Sequence, residues 1–180
     1  MKTEILAVRD TNTEFVLRDK EGNIKQLFQP NVLGNLTGLR IPFVTGTYQD
    51  SYKRHNLVTN VGHQGCASRL SNQGSFSPFV NIAIGTGTTA AAVTNTALQT
   101  EITTGGGARK AATASLTTTN VSNDTVSLTA AFTFSSSFAV TEEGILDNAV
   151  SGGNLLAHQV FSPLSVASGD SLTVTHTVVC

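Results

Sequence analysis

Thr125-Val126-Ser127-Leu128-Thr129-Ala130-Ala131-Phe132-Thr133-Phe134 alternates, with Val126, Leu128, Ala130, Phe132 and Phe134 on one face and mostly Thr and Ser on the other. Period two is the signature of a strand with one buried side. The same rhythm returns at the end of the chain, where Leu172, Val174, His176 and Val178 alternate with threonines. Between and before these stretches lie further short runs: Phe79 to Ile84, Ala97 to Thr103, Ala111 to Thr119, Phe138 running on to Asp147, and Leu155 to Phe161. Turn clusters separate them, among them Gly85-Thr86-Gly87, Gly105-Gly106-Gly107, Asn120 to Asp124 and Ser151 to Asn154. About seven short strands with a turn signal every ten or so residues predict an antiparallel β-sandwich of jelly-roll or Ig-like type.

Composition agrees. Charged residues make up 13% of the 180 residues, and Thr, Ser, Ala, Val and Gly fill the space. β-branched side chains suit a pleated, half-buried surface. The charges are unevenly spread: residues 1–55 hold 14 of the 23 Lys, Arg, Asp and Glu. This divides the chain into a charged N-terminal hairpin and extended arm, 1–55, and a sandwich, 56–180, led by one short helix. In the arm, Thr13 to Arg18 and Ile24 to Phe28 flank the turn cluster Asp19 to Asn23 and predict a hairpin. Asn31 to Asp50 has no clean period and reads as an irregular segment that makes sense if it lies on a partner. Leu57 to Leu70 is the helix, with Leu57, Val61, Gly65-Cys66 and Leu70 sharing a face.

Several chemistries find no support. A net charge of −1 without a basic stripe argues against nucleic acid as a partner. Arg109-Lys110 reads as a solvated loop. The glycine stretches lack phosphate-loop spacing and read as turns or a mobile loop. Glu142 and Glu143 are adjacent, so in a strand they face opposite ways and cannot act together. Glu142 is expected to be buried, satisfied by Arg69, Arg109 or a backbone donor. His55, His63, His158 and His176 form no metal pattern and read as surface or edge histidines, although His158 and His176 could face each other on paired strands. Asp170 reads as a turn residue. Cys66 and Cys180 are expected to be free thiols. No catalytic set, cofactor or metal is therefore expected. Met1 to Glu4 opens no secretory signal, and no stretch is long and apolar enough for a membrane span.

From about His55 onward the chain resembles a family of small tailed-bacteriophage virion structural proteins, of capsid decoration (cement) or tail-fibre type. The resemblance is carried by Asn56-Leu57-Val58-Thr59-Asn60, Asn81 to Thr89, Leu98 to Ile102, Phe138 to Asp147, Gly152 to Ala157 and Val166 to Val174. It implies a non-enzymatic protein on the virion exterior, made in the host cytoplasm. The first reading is a decoration protein, a homo-oligomer such as a trimer, whose arm grips the major capsid protein. The alternative is a tail-fibre, tail-tip or baseplate subunit held by tail proteins. A carbohydrate-binding sandwich comes third, because the chain has no Trp to stack on sugar rings. The residues expected to touch a partner are Phe15, Leu27, Phe28, Leu33, Leu36, Leu39, Ile41, Phe43, Tyr48 and Tyr52.

Overall fold

The structure is a computed structural model that describes residues 10–180; Met1 to Glu4, read above for a targeting signal, lie outside the described residues. In chain order the elements are β1 (Asp10–Arg18), β2 (Leu27–Pro30), α1 (Val32–Thr37), β3 (Gly46–Gln49), β4 (Tyr52–His55), β5 (Leu57–Val58) and α2 (Asn60–Ser71). There follow β6 (Asn81–Gly85), β7 (Lys110–Ala111), β8 (Thr113–Thr117), β9 (Thr125–Thr133), β10 (Phe138–Leu146), β11 (Leu155–Val166) and β12 (Ser171–Val179).

Two five-stranded antiparallel sheets form the sandwich, in the orders β4-β1-β12-β9-β8 and β5-β11-β10-β6-β7. β2 and β3 make a separate two-stranded sheet. The alternating face of β9 goes inward as its pattern requires: Leu128, Ala130, Phe132 and Phe134 are buried, against Phe15, Leu172 and Val174 of the same sheet and Ile82, Val140, Ile145 and Phe161 of the other. Each large side chain so buried stabilises the fold by roughly 1.5–3 kcal/mol. At each end of the sandwich one continuous segment changes sheets, β4 to β5 through Asn56 and β7 to β8 through Ala112.

The second sheet is covered on both sides, which explains why β6 and β10 read as unbroken blocks rather than alternations. On its outer face Ala83, Leu146 and Leu155 meet Leu98, which comes from the 86–104 segment. The expected strand Ala97 to Thr103 is therefore a covering loop. It touches β6 through a single bridge between Gly85 and Glu101 and through Ile102 N–H to the Ile84 carbonyl at 2.9 Å.

The helix packs differently from its sequence reading. Leu57 belongs to β5 and Leu70 is exposed, whereas Gly62 and Gly65 are the residues buried. A Cβ on Gly62 would lie 2.1 Å from the Leu156 carbonyl oxygen, and one on Gly65 would lie 2.5 Å from the Phe79 ring. Gly62 lets α2 lie close on β11, and Gly65, which is on the expected face, lies against the Phe79 ring. Gly62→Ala should accordingly destabilise by about 1–3 kcal/mol through overpacking, although helix propensity alone would favour alanine by about 1 kcal/mol. Urea unfolding of the variant reads the sign directly.

Several N-terminal expectations are also corrected. The Asp19 to Asn23 turn forms, with Asp19 Oδ1 accepting from the backbone N–H groups of Glu21 and Asn23 at 3.0 and 2.8 Å. The chain then leaves β1 after Ile24 and Lys25, and β2 pairs with β3 instead. The free side of β1 is taken by β4, with Phe15 opposite Tyr52. β1 also pairs along its whole length with β12. Both strands thus belong to the sandwich and not to an arm, and they supply Phe15, Leu17 and Tyr52 to its core. Asn31 to Asp50 is not irregular either, since it holds a second helix, α1, and β3.

Candidate attachment surface and buried carboxylates

The β2–α1–β3 unit is built to hold apolar side chains outward. Asn31 caps α1, its Oδ1 accepting from Gly34 N–H at 3.0 Å, and its Nδ2 donates to the Val44 carbonyl at 2.9 Å. Gly34 is the buried residue of the helix; a Cβ there would lie 2.1 Å from the Thr45 carbonyl oxygen. α1 therefore packs by its glycine, and Val32, Leu33 and Leu36 face solvent. The following loop is pinned by the buried Thr45 hydroxyl, which accepts from Ile41 N–H at 2.7 Å and donates to the Leu39 carbonyl at 2.9 Å. At its tip Phe43 is 92% exposed and holds φ at +64°, a left-handed conformation that bulky residues rarely adopt. Its N–H donates to the Gly46 carbonyl at 2.8 Å. Arg40 is the only charged residue from Leu27 to Gln49.

Of the expected contact residues, Leu33, Leu36, Leu39, Ile41, Phe43 and Tyr48 are exposed together on this unit. Phe15 and Tyr52 are wholly buried beside Phe161, so they are core residues and present nothing to a partner. Leu27 and Phe28 are buried too. Leu27 joins the main core, and Phe28 underlies Tyr48 in an edge-to-face contact with ring centres 5.4 Å apart. Sequence reasoning missed Val32 and Val44, both exposed on the same unit; the apolar run with the single charge Arg40 was the available signal.

Two adjacent carboxylates of β10 are wholly buried, one on each side of the second sheet. Glu142 points to the outer face of the second sheet and accepts four hydrogen bonds: from the backbone N–H groups of Gly87, Gln99 and Thr100 at 3.0, 2.9 and 2.7 Å, and from His158 Nε2 at 3.1 Å. Gly85 and Gly87 must lack side chains here, because a Cβ on either would lie within 2.6 Å of Glu142 Oε1. His158 Nδ1 lies 3.0 Å from Asn95 Oδ1, so the ring is held between Glu142 and the 86–104 segment. Glu143 points the other way, into the space between the sheets. It meets His176 Nδ1 at 3.1 Å, Asn56 Nδ2 at 2.9 Å and Gln159 Nε2 at 3.1 Å. Burial pushes both carboxyls up, but these donors outweigh it and hold both below the ordinary glutamate value.

The opposed directions of Glu142 and Glu143 are those expected of neighbours in a strand, and the backbone donors of Glu142 match one of the expected partners. Arg69 and Arg109 do not reach it. The histidine reading is corrected: His158 and His176 are fully buried, lie in different sheets and pair with separate glutamates. His63 is exposed, as expected. Asp170 holds the turn before β12, accepting from Ala167 N–H at 2.9 Å and from Lys25 Nζ at 2.7 Å.

Arg109 is not a solvated loop residue. Its guanidinium is buried and bidentate to Glu101, at 2.9 and 2.7 Å, and Nη1 donates to the Asn148 and Gly152 carbonyls. It ties two loops together while satisfying Glu101. Arg109→Ala is expected to cost about 3 kcal/mol, since one partner of a largely buried ion pair is left behind; thermal unfolding measures it. Cys66 and Cys180 are free, and burial together with Cys180 raises the Cys66 thiol above its ordinary value. Among the described residues no group of three or more His, Cys, Asp or Glu could hold a metal ion, and no helix is long and apolar enough to cross a membrane.

An antiparallel sandwich carrying a pinned apolar projection with a single charge defines a β-rich structural subunit. Residues 58–179, from the edge of β5 through β12, match the family model described as Podophage GP4 fiber I protein gp80, and the chain belongs to that family. It is thus a structural protein of a tailed-phage virion. No curated protein and no solved structure matches the chain. The residues that carry the resemblance noted from sequence fall almost entirely inside the matched range, and the apolar β2–α1–β3 unit lies outside it.

Proposed function

We propose that this protein is a tail-fibre subunit, fixed to a tail protein through the apolar face of the β2–α1–β3 unit, and that it acts by assembly and not by catalysis. The observation that carries this reading is the match of nearly the whole span from β5 to β12 to a fibre protein. That match favours the fibre alternative over head decoration, which draws on the apolar segment alone.

The attachment half of the reading rests on preorganisation. A loop whose backbone is already pinned loses little freedom on docking, so an apolar contact made from it is stronger. The partner is expected to be a protein surface of matching apolar character, because the unit offers one charge in twenty-odd residues and little for phosphate or lipid headgroups to grip. On this reading the subunit is made in the host cytoplasm and ends on the virion exterior. The test is co-sedimentation of the purified chain with separated tails and heads. Binding to tails alone is the expected result, and saturable binding to heads would restore the decoration reading.

A further inference from the structure

Three of the four edges of the sandwich are protected, and the fourth is not. β5 and β7 are two residues long. β4 carries Lys53 and Arg54 and is overlaid by the β2–α1–β3 unit: Gln29 Oε1 accepts from Lys53 N–H at 2.9 Å, and Arg54 Nη2 donates to Asn35 Oδ1 at 3.1 Å. β8, Thr113-Ala114-Ser115-Leu116-Thr117, has β9 on one side and, among the described residues, no strand on the other. It has neither charge nor proline, and every residue from 113 to 123 is exposed. An open, uncharged edge is a template for pairing, and proteins that stay apart blunt such edges with lysine, proline, bulges or brevity.

The inner face of this edge is also unfinished. Ala114 stands opposite Leu128 and Leu116 opposite Val126. Directly paired residues share a face, so Ala114 and Leu116 lie on the core side with the buried Leu128. Leu116 is nonetheless 61% exposed, because the facing sheet ends there in the two-residue β7. The core layer of the larger sheet overhangs its cover.

We infer that β8 is a self-association edge, which pairs antiparallel with β8 of a second copy about a twofold axis at Ser115. In that register Thr113 meets Thr117, Ser115 meets Ser115, and Ala114 meets Leu116. Threonine and serine fall opposite threonine and serine on the outer face, a favourable cross-strand set. On the inner face each Leu116 packs on the partner's Ala114 and continues the core across the joint. No like charges are opposed, because the strand has none. The β4 edge, which bears the attachment unit, is the far edge of the same sheet. One edge would then bind the virion and the other a second copy, so each can be disrupted alone.

The test uses the full chain with the exposed Cys180 replaced by serine. On this background Ser115→Cys should form a covalent dimer under mild oxidation, because the axis brings the two copies of that position into disulfide range. Asn123→Cys, at the exposed hairpin tip, should not. Leu116→Lys in the unmodified chain should weaken the dimer in sedimentation equilibrium by about 30-fold or more, since the symmetric contact is lost twice, with the circular dichroism spectrum unchanged. A chain that stays monomeric throughout the micromolar range would overturn the inference. So would an oligomer in which Ser115→Cys cross-links no better than Asn123→Cys, which would mean that another surface makes the contact.

Discussion

Replacing Glu142 with leucine is expected to remove about 3–5 kcal/mol of stability, because each buried donor left without its acceptor costs about 1–3 kcal/mol. For a chain of this size that corresponds to a fall in Tm of about 10 °C. The leucine strands three backbone N–H groups, of Gly87, Gln99 and Thr100, and leaves His158 buried without its carboxylate. It also forces side-chain carbons against the glycine backbone at Gly85 and Gly87. Glu142→Gln keeps the shape and one acceptor oxygen, so its loss should be smaller. If leucine is tolerated as well as glutamine, the 86–104 segment is not held by this carboxylate.

Acid should act through the same groups. Glu142 and Glu143 both titrate below their ordinary value in the folded chain. Groups with depressed folded values contribute stability that is fully present above the unfolded value, about 4.3, and is lost as pH falls through the folded values. Unfolding free energy should therefore fall steadily below about pH 4.3, and the fall should be shallower in Glu142→Gln. A wild-type acid limb no steeper than that of the variant would count against the buried pairs.

The second large effect concerns attachment. Leu36→Asp combined with Phe43→Asp is expected to weaken binding to the virion partner by about 100-fold or more, because hot-spot apolar anchors each contribute 2 kcal/mol or above. The fold should be unaffected. Leu36 and Phe43 are 80% and 92% exposed, and surface substitutions of this kind fall within about 0.5 kcal/mol. Aspartate also accepts the left-handed backbone of position 43 more readily than phenylalanine. Binding by titration calorimetry beside thermal unfolding separates the two effects. Undiminished affinity with intact folding would remove the β2–α1–β3 unit from the interface.

The strands of the sandwich were legible because their signal is local: β9 and β12 carry an alternation that only a half-buried strand explains. The helix was located, and Gly65 and Cys66 of its expected face do pack inward, but Leu57 and Leu70 do not belong to that face. Small residues score as helix breakers in a pattern, whereas close approach to β11 makes Gly62, off the expected face, a contact residue. The burial of Glu142 could be read from the apolar block around it. Which backbone donors satisfy it could not, because they come from a loop more than forty residues earlier in the chain. The pairing of Glu143 with His176 was hidden for the same reason, since it depends on how two sheets face each other. Phe15 and Tyr52 were grouped with the attachment residues because charge density drew a boundary near residue 55. The tertiary pairing of β1 with β12 and β4 overrides that boundary. The exposed set from Leu33 to Tyr48 was recognisable for what it lacked: an apolar run with no period has no core of its own to enter.

The central claim is that this virion protein is a fibre subunit, and a reconstruction of the intact particle by electron cryomicroscopy, with the chain located by a fused tag, tests it most directly. Density for the tagged chain on the tail, with the β2–α1–β3 unit against a tail protein, is the expected result. Copies spread over the head lattice would contradict the account and make the protein a decoration subunit.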